Sequence, residues 1–142
     1  MSVTYSIVIP VYNRPREVRE LLESLKHQEF TDFELVIVED GSTEPCKEEV
    51  DQYREFMDIR YFFKPNSGPG MSRNYGIERA RGEYVVLFDS DCLIPPEYFI
   101  RVEQHLHEEP LDAWGGPDAA HESFSSIQKA INQAMTSPLT TG

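Results

Sequence analysis

Four short runs of β-branched and aromatic residues recur along the chain, and each stops abruptly at a polar or glycine-bearing segment. They are Tyr5 to Val11 (YSIVIPV), Phe33 to Glu39 (FELVIVE), Ile59 to Lys64 (IRYFFK) and Tyr84 to Phe88 (YVVLF). Near-continuous apolar runs of this length fit strands buried on both faces. Between them lie segments with helical spacing. Val18, Leu21, Leu22 and Leu25 form one apolar face after Tyr12-Asn13-Arg14, with Pro15 in the first turn. Val50, Tyr53 and Met57 form a second, beginning near Pro45, and Met71 to Arg81 reads as a third helix capped by Gly82. Pro65 to Gly70 (PNSGPG) reads as a loop. Beyond Pro95-Pro96, Phe99, Val102 and Leu106 mark another helix. Ala113 to Gly115 fits a short fifth strand, and Phe124, Ile127, Ile131 and Ala134 a last helix. Regular alternation of strand and helix predicts an α/β, Rossmann-like fold. Its sheet is mostly parallel, its crossovers right-handed, and its helices lie on both faces.

The 142 residues suffice for one domain with a real core. A net charge of −12, from 13 basic and 25 acidic residues, argues against binding to a nucleic-acid backbone. Cys46 and Cys92 are the only cysteines and show no metal-ligand spacing, which fits a reducing compartment. The N-terminus MSVTYSIVIP lacks the pattern of a signal peptide, and no apolar run approaches the ~20 residues that span a bilayer. The expected location is the cytoplasm, compatible with the inner face of a membrane and with peripheral association there.

In open parallel sheets, ligands bind beyond the carboxyl ends of the strands. There the sequence places Tyr12-Asn13, Asp40-Gly41-Ser42, Asn66-Ser67-Gly68 and Asp89-Ser90-Asp91, so four loops should meet at one edge. Asp89 and Asp91 follow a strongly apolar run. In an extended segment their side chains point the same way, and two hard carboxylates facing one ion suit Mg²⁺ or Mn²⁺. Asp40 can accept from a base N–H or a ribose hydroxyl, or can stabilise a turn; Gly41 after it allows a positive φ. Glu39 points into the site or away. Arg73, in GPGMSRN, supplies a fixed charge for phosphate beside backbone N–H groups at a helix start. Cys92 reads as a packed thiol, and His27, His105 and His107 as surface residues. Asp118, His121 and Glu122 are weaker candidates for an acceptor site.

Taken in order, IVIPVYNR, LVIVEDGS, NSGPGMSRNYGIERARGEYVVLFDSD and LIPPEYF resemble the family 2 glycosyltransferases of the GT-A fold. The resemblance covers most of residues 5 to 99. It implies transfer of a sugar from a nucleotide diphosphate donor, UDP-linked by family tendency, to the hydroxyl of a glycan or lipid-linked acceptor, with inversion. It further implies that Pro10 and Tyr12 shape the base pocket, that Asp40 contacts the base, and that Arg73 lies near the donor phosphates. Asp89, Ser90 and Asp91 would form the D-x-D segment, with Asp89 and Asp91 at a Mg²⁺ or Mn²⁺ ion. The family's general base lies in a more C-terminal segment. No convincing base follows Asp91, which places the expected base beyond Gly142. Residues 1 to 142 therefore read as a single nucleotide-sugar-binding domain that ends before the acceptor segment. Such a domain would bind donor without transferring sugar, and its open apolar surface would favour self-association into a homo-oligomer.

Two other classes use the same features. A haloacid-dehalogenase-type phosphatase also carries D-x-D after an apolar strand, with the first Asp as nucleophile. That motif normally opens its domain, whereas here it follows the fourth strand. A non-catalytic nucleotide-sugar-binding module fits the missing base but leaves the intact D-x-D without a chemical task.

Overall fold

The structure, a computed structural model, describes residues 3–115. Their elements run β1 (Tyr5–Val11), α1 (Pro15–Lys26), β2 (Phe33–Asp40), α2 (Lys47–Tyr53), β3 (Asp58–Lys64), α3 (Pro69–Ile77), β4 (Tyr84–Leu87) and α4 (Tyr98–Glu108). The strands form one four-stranded sheet in the order β3-β2-β1-β4, with every pairing parallel. The α/β expectation therefore holds. The chain divides into two compact units, residues 1–105 and 106–142. In the second, the described residues are the end of α4 and an irregular stretch to Gly115.

The strand order sets where a ligand can enter. From β1 the chain steps outward to β2 and β3, then crosses back to place β4 on the other side of β1. In open α/β sheets, ligands bind beyond the strand ends at such a reversal. The register leaves the end of β1 unpaired on one side there. β1 pairs with β2 as far as Val11↔Glu39, but with β4 only as far as Val8↔Leu87. Phe88 N–H still donates to the Val8 carbonyl at 3.2 Å, and then the chain turns away. Pro10, two residues on, faces that vacated edge, so its missing N–H costs no ladder bond.

The central strands β1 and β2 are buried on both faces, whereas Phe63 of β3 and Val85 and Leu87 of β4 are exposed, against the expectation of two-sided burial for every run. On one face of the sheet, Val8, Val36 and Val38 form a cluster against which Phe62 and Tyr75 pack. α3 lies here, brought close by Gly76: a Cβ at that position would stand 2.4 Å from Val8 Cγ1. On the other face Tyr5, Ile7, Ile9, Leu35 and Ile37 are fully buried, and Phe99 of α4 meets the rings of Tyr5 and Phe33. α1 contributes Val18, Leu21, Leu22 and Leu25 to the core and packs against α2. Each such aliphatic side chain, fully buried, contributes roughly 1.5–3 kcal/mol before entropy is counted.

All eight residues of β2 are buried, three of them acids. Glu34, at the start, accepts from Ser6 Oγ at 2.7 Å, from Arg81 N–H at 2.8 Å and from Arg81 Nε at 2.8 Å. Arg60 approaches at 3.4 Å. Burial opposes its ionisation, but Arg81 and Ser6 outweigh burial and hold the carboxyl below the usual range.

Several boundaries differ from the sequence reading. α3 starts at Pro69, inside the expected loop, because proline at a first helical position has no N–H to lose. The helix ends at Ile77 rather than Arg81, and Gly82 is not its cap. Arg79 and Ala80 N–H close tighter turns onto Gly76 and Ile77, and the next N–H groups, of Arg81 and Gly82, donate to Ser6 Oγ at 3.1 and 2.7 Å. The sheet thus captures the chain before the helix can continue. α2 likewise stops at Tyr53, leaving Met57 beyond it, and β4 stops at Leu87. Ala113 to Gly115 is irregular, not a fifth strand. The expected helix from Phe124 to Ala134, and Asp118, His121 and Glu122, lie outside the described residues. So does Gly142, beyond which the general base is expected.

Candidate functional site

The four strand-end loops meet, and hydrogen bonds and one ion pair join them in a circuit. Asn13, at φ +51°, accepts on Oδ1 from the N–H groups of Thr43 and Glu44, each at 2.9 Å, tying the β1 loop to the β2 loop. Asp40 ties the β2 loop to the β3 loop: Oδ1 accepts from Ser67 N–H at 2.8 Å and Oδ2 from Gly68 N–H at 2.9 Å. Arg73 of α3 donates to Asp89 Oδ1 at 2.7 Å, tying α3 to the β4 loop. Arg14 closes the circuit, with Nη1 3.7 Å from Asp91 Oδ2.

Asp89 and Asp91 do not lie on an extended segment as expected. β4 has ended, and Ser90 and Asp91 form a turn closed by Cys92 N–H on the Asp89 carbonyl at 3.2 Å. Ser90 is buried in this turn, whereas the acid side chains are 64% and 59% exposed. The turn directs Asp89 to Arg73 and Asp91 to Arg14. Two carboxylates at the end of an apolar strand are therefore tolerable for two reasons: water reaches both, and each has its own guanidinium.

Asp40 is buried, and Lys64 Nζ lies 2.6 Å from Oδ1. Burial opposes its charge, but Lys64 and the two backbone N–H groups hold its carboxyl below the usual range. Gly41 has φ +69°, as the turn requires, and a Cβ there would stand 2.6 Å from Asn66 N. Glu39, left open by the sequence, points away to the start of α2. It accepts from Cys46 N–H at 2.8 Å, from Tyr61 Oη at 3.0 Å and from Ser42 Oγ. Burial and Glu39 together push the Cys46 thiol and Tyr61 hydroxyl up. Pro10 is half-buried at the vacated edge, and Tyr12 is 52% exposed just past β1. His105 and His107 are exposed, and His27 Nδ1 lies 2.8 Å from the Glu23 carbonyl on its own helix.

The structure thus brings Pro10, Tyr12, Asp40, Arg73, Asp89, Ser90 and Asp91 to one edge. It adds two residues the sequence reading passed over. Arg14 directly follows the β1 strand-end loop, and Lys64 is the last residue of β3, so the strand-end rule could have found both. Exposed carboxylate oxygens suit a hard divalent cation. Among the described residues, no group of three or more His, Cys, Asp or Glu side chains forms a metal cage. An ion on Asp89 and Asp91 would take its other ligands from substrate phosphate and water.

A parallel sheet with polar loops gathered at its topological switch point is an α/β arrangement of the kind that binds ligands at that edge. Residues 6–140 match Glycosyl transferase family 2, and the chain belongs to that family. It is 43% identical over 88 residues to an uncharacterized glycosyltransferase of Rickettsia felis, covering 62% of this chain and 15% of that protein. It is 39% identical over 97 residues to the poly(ribitol-phosphate) beta-N-acetylglucosaminyltransferase TarS of Staphylococcus aureus, covering 66% of this chain and 17% of that protein. The crystal structure of S. aureus TarS 1-349 in complex with UDP-GlcNAc superposes with a TM-score of 0.73 at 30% identity. That match covers 84% of this chain and 38% of that one. The GT-A expectation holds, and the chain spans well under half the length of these relatives.

Proposed function

We propose that this domain binds a uridine diphosphate sugar at the β1/β4 edge, as the donor half of an inverting, metal-dependent glycosyltransferase. The observation that carries the reading is the circuit of strand-end loops, which sets two guanidinium groups and two exposed carboxylates at the switch-point edge. Pro10 and Tyr12 frame the base end. Arg73, with Nη2 already on Asp89, has further planar N–H donors for diphosphate oxygens, a task for which lysine is a poor substitute. Asp89 and Asp91 would hold Mg²⁺ or Mn²⁺, which when bound supplies positive charge to the departing diphosphate. Likeness to a protein crystallised with UDP-GlcNAc makes that donor the first to test. The acceptor would be a glycan or lipid-linked hydroxyl, whose proton a general base must take.

Thermal unfolding with a panel of nucleotides and nucleotide sugars tests the reading, because a ligand that binds only the folded state raises the midpoint. UDP and UDP-GlcNAc should raise it in the presence of Mn²⁺, and adenine and guanine nucleotides should do so less. No shift with any nucleotide, with or without metal, would remove the donor-site assignment.

A further inference from the structure

We propose that Lys64 is a positioning residue for the diphosphate end of this site, acting through Asp40 on the first turn of α3; the role rests on the donor reading above. Lysine is rarely buried unless paired. The Lys64 side chain is only 11% exposed, and each of its three N–H donors has a partner. Nζ donates to Asp40 Oδ1 at 2.6 Å, to the Pro65 carbonyl at 3.1 Å and to Ser67 Oγ. The partners are Asp40 at the end of β2 and Pro65 and Ser67 in the loop after β3. The charge is therefore spent on holding the loop.

The loop is held at further points. Asp40 takes the Ser67 and Gly68 N–H groups on its two carboxylate oxygens, and its own carbonyl accepts from Asn66 Nδ2 at 2.9 Å. Gly41 lets Asn66 pack against the β2 turn. Gly68 is then the N-cap of α3, with φ +95° and its carbonyl accepting from Ser72 N–H at 3.1 Å. Arg73, the next residue, reaches Asp89. A continuous bonded path thus runs from Lys64 through Asp40 and Gly68 to Arg73. Removing the ammonium leaves Asp40 a buried carboxylate without a counter-ion, and loosens the cap that aims Arg73.

Calorimetric titration of UDP and, separately, of inorganic pyrophosphate, each with Mn²⁺, separates this role from its rivals. The proteins are the 142-residue chain and its Lys64→Met, Asp40→Asn and double variants, held well below their unfolding temperatures with folding verified by circular dichroism. Lys64→Gln, which keeps an N–H donor, replaces the methionine variant if that one fails to fold. Loss of a charged hydrogen-bonding partner predicts that Lys64→Met weakens both ligands by about tenfold or more. The double variant should bind no worse than the weaker single variant, because the two residues act as a unit. A folded Lys64 variant that binds both ligands as the unaltered protein does would make the lysine merely structural and overturn the proposal. Weakened UDP with unchanged pyrophosphate would overturn it too, by moving the effect to the base. If the unaltered protein binds neither ligand, the donor reading falls and takes this role with it.

Discussion

Arg73 donates to Asp89 at 2.7 Å, from the second turn of α3 to the turn after β4. The pair bridges two elements that share no strand ladder, and it stands at the edge where β1 has lost its β4 neighbour. One half-buried guanidinium therefore serves both the acid that would hold a cation and the space where a diphosphate would lie.

Arg73→Gln should weaken UDP binding by roughly 10–100-fold, the span expected for a charge-assisted hydrogen bond of about 1.5–3 kcal/mol. Arg73→Lys should recover only part of the loss, because an ammonium lacks the planar fork. Isothermal titration reads both. Equal binding by all three proteins would remove Arg73 from the site.

The Arg14–Asp91 pair makes a different prediction. At 3.7 Å, with both side chains at least half exposed, it contributes at most about 1 kcal/mol to stability. Arg14→Gln should leave the unfolding midpoint within a few degrees of the original. A large fall would mean that the pair is part of the framework and is not available to a ligand.

Acid should destabilise the domain through Glu34. Its carboxyl is held below the ordinary value of 4.5, so the unfolded chain binds its proton more tightly than the folded one. That stability is fully present above 4.5 and is lost as pH falls below it toward the lowered folded value. Arg81→Ala removes the main partner of a fully buried carboxylate and should cost about 3 kcal/mol near neutral pH. Urea titrations from pH 7 down to 3 would show both effects. An Arg81→Ala protein with unchanged stability and the same acid profile would refute this role for the network.

Gly76→Ala should destabilise despite alanine's higher helix propensity. The new Cβ would sit 2.4 Å from Val8 Cγ1, in a stiff β-branched side chain buried in the sheet. Overpacking of this kind costs about 1–3 kcal/mol, against a propensity gain of up to ~1. A higher unfolding midpoint in the alanine variant would show that α3 can lift from the sheet at little cost.

Much of this architecture is legible because burial writes itself into sequence. β1 and β2 are buried on both faces, so their apolar runs mark bounds that match within a residue. The strand-end rule then gathers Tyr12, Asp40 and Asp89-Ser90-Asp91 at one edge from the order of the runs alone. What stays hidden is decided by tertiary hydrogen bonds. Gly82 looks like a helix cap, but Ser6, far away in sequence, takes its N–H. Glu39 and Asp40 are adjacent acids with opposite duties, because strand alternation sends one to α2 and the other to the β3 loop. Lys64 and Arg14 stand near strand ends, where the sequence can place them but cannot show what they pair with. Their roles come only from the partners the fold gives them.

Titration of UDP into the 142-residue protein and its Asp91→Asn variant, with and without Mn²⁺, tests the central claim most directly. Mn²⁺ should strengthen UDP binding to the unaltered protein, and the variant should lose most of this gain while remaining folded. Metal-strengthened binding that survives intact in Asp91→Asn, or a folded protein that binds no nucleotide under any metal condition, would contradict that claim.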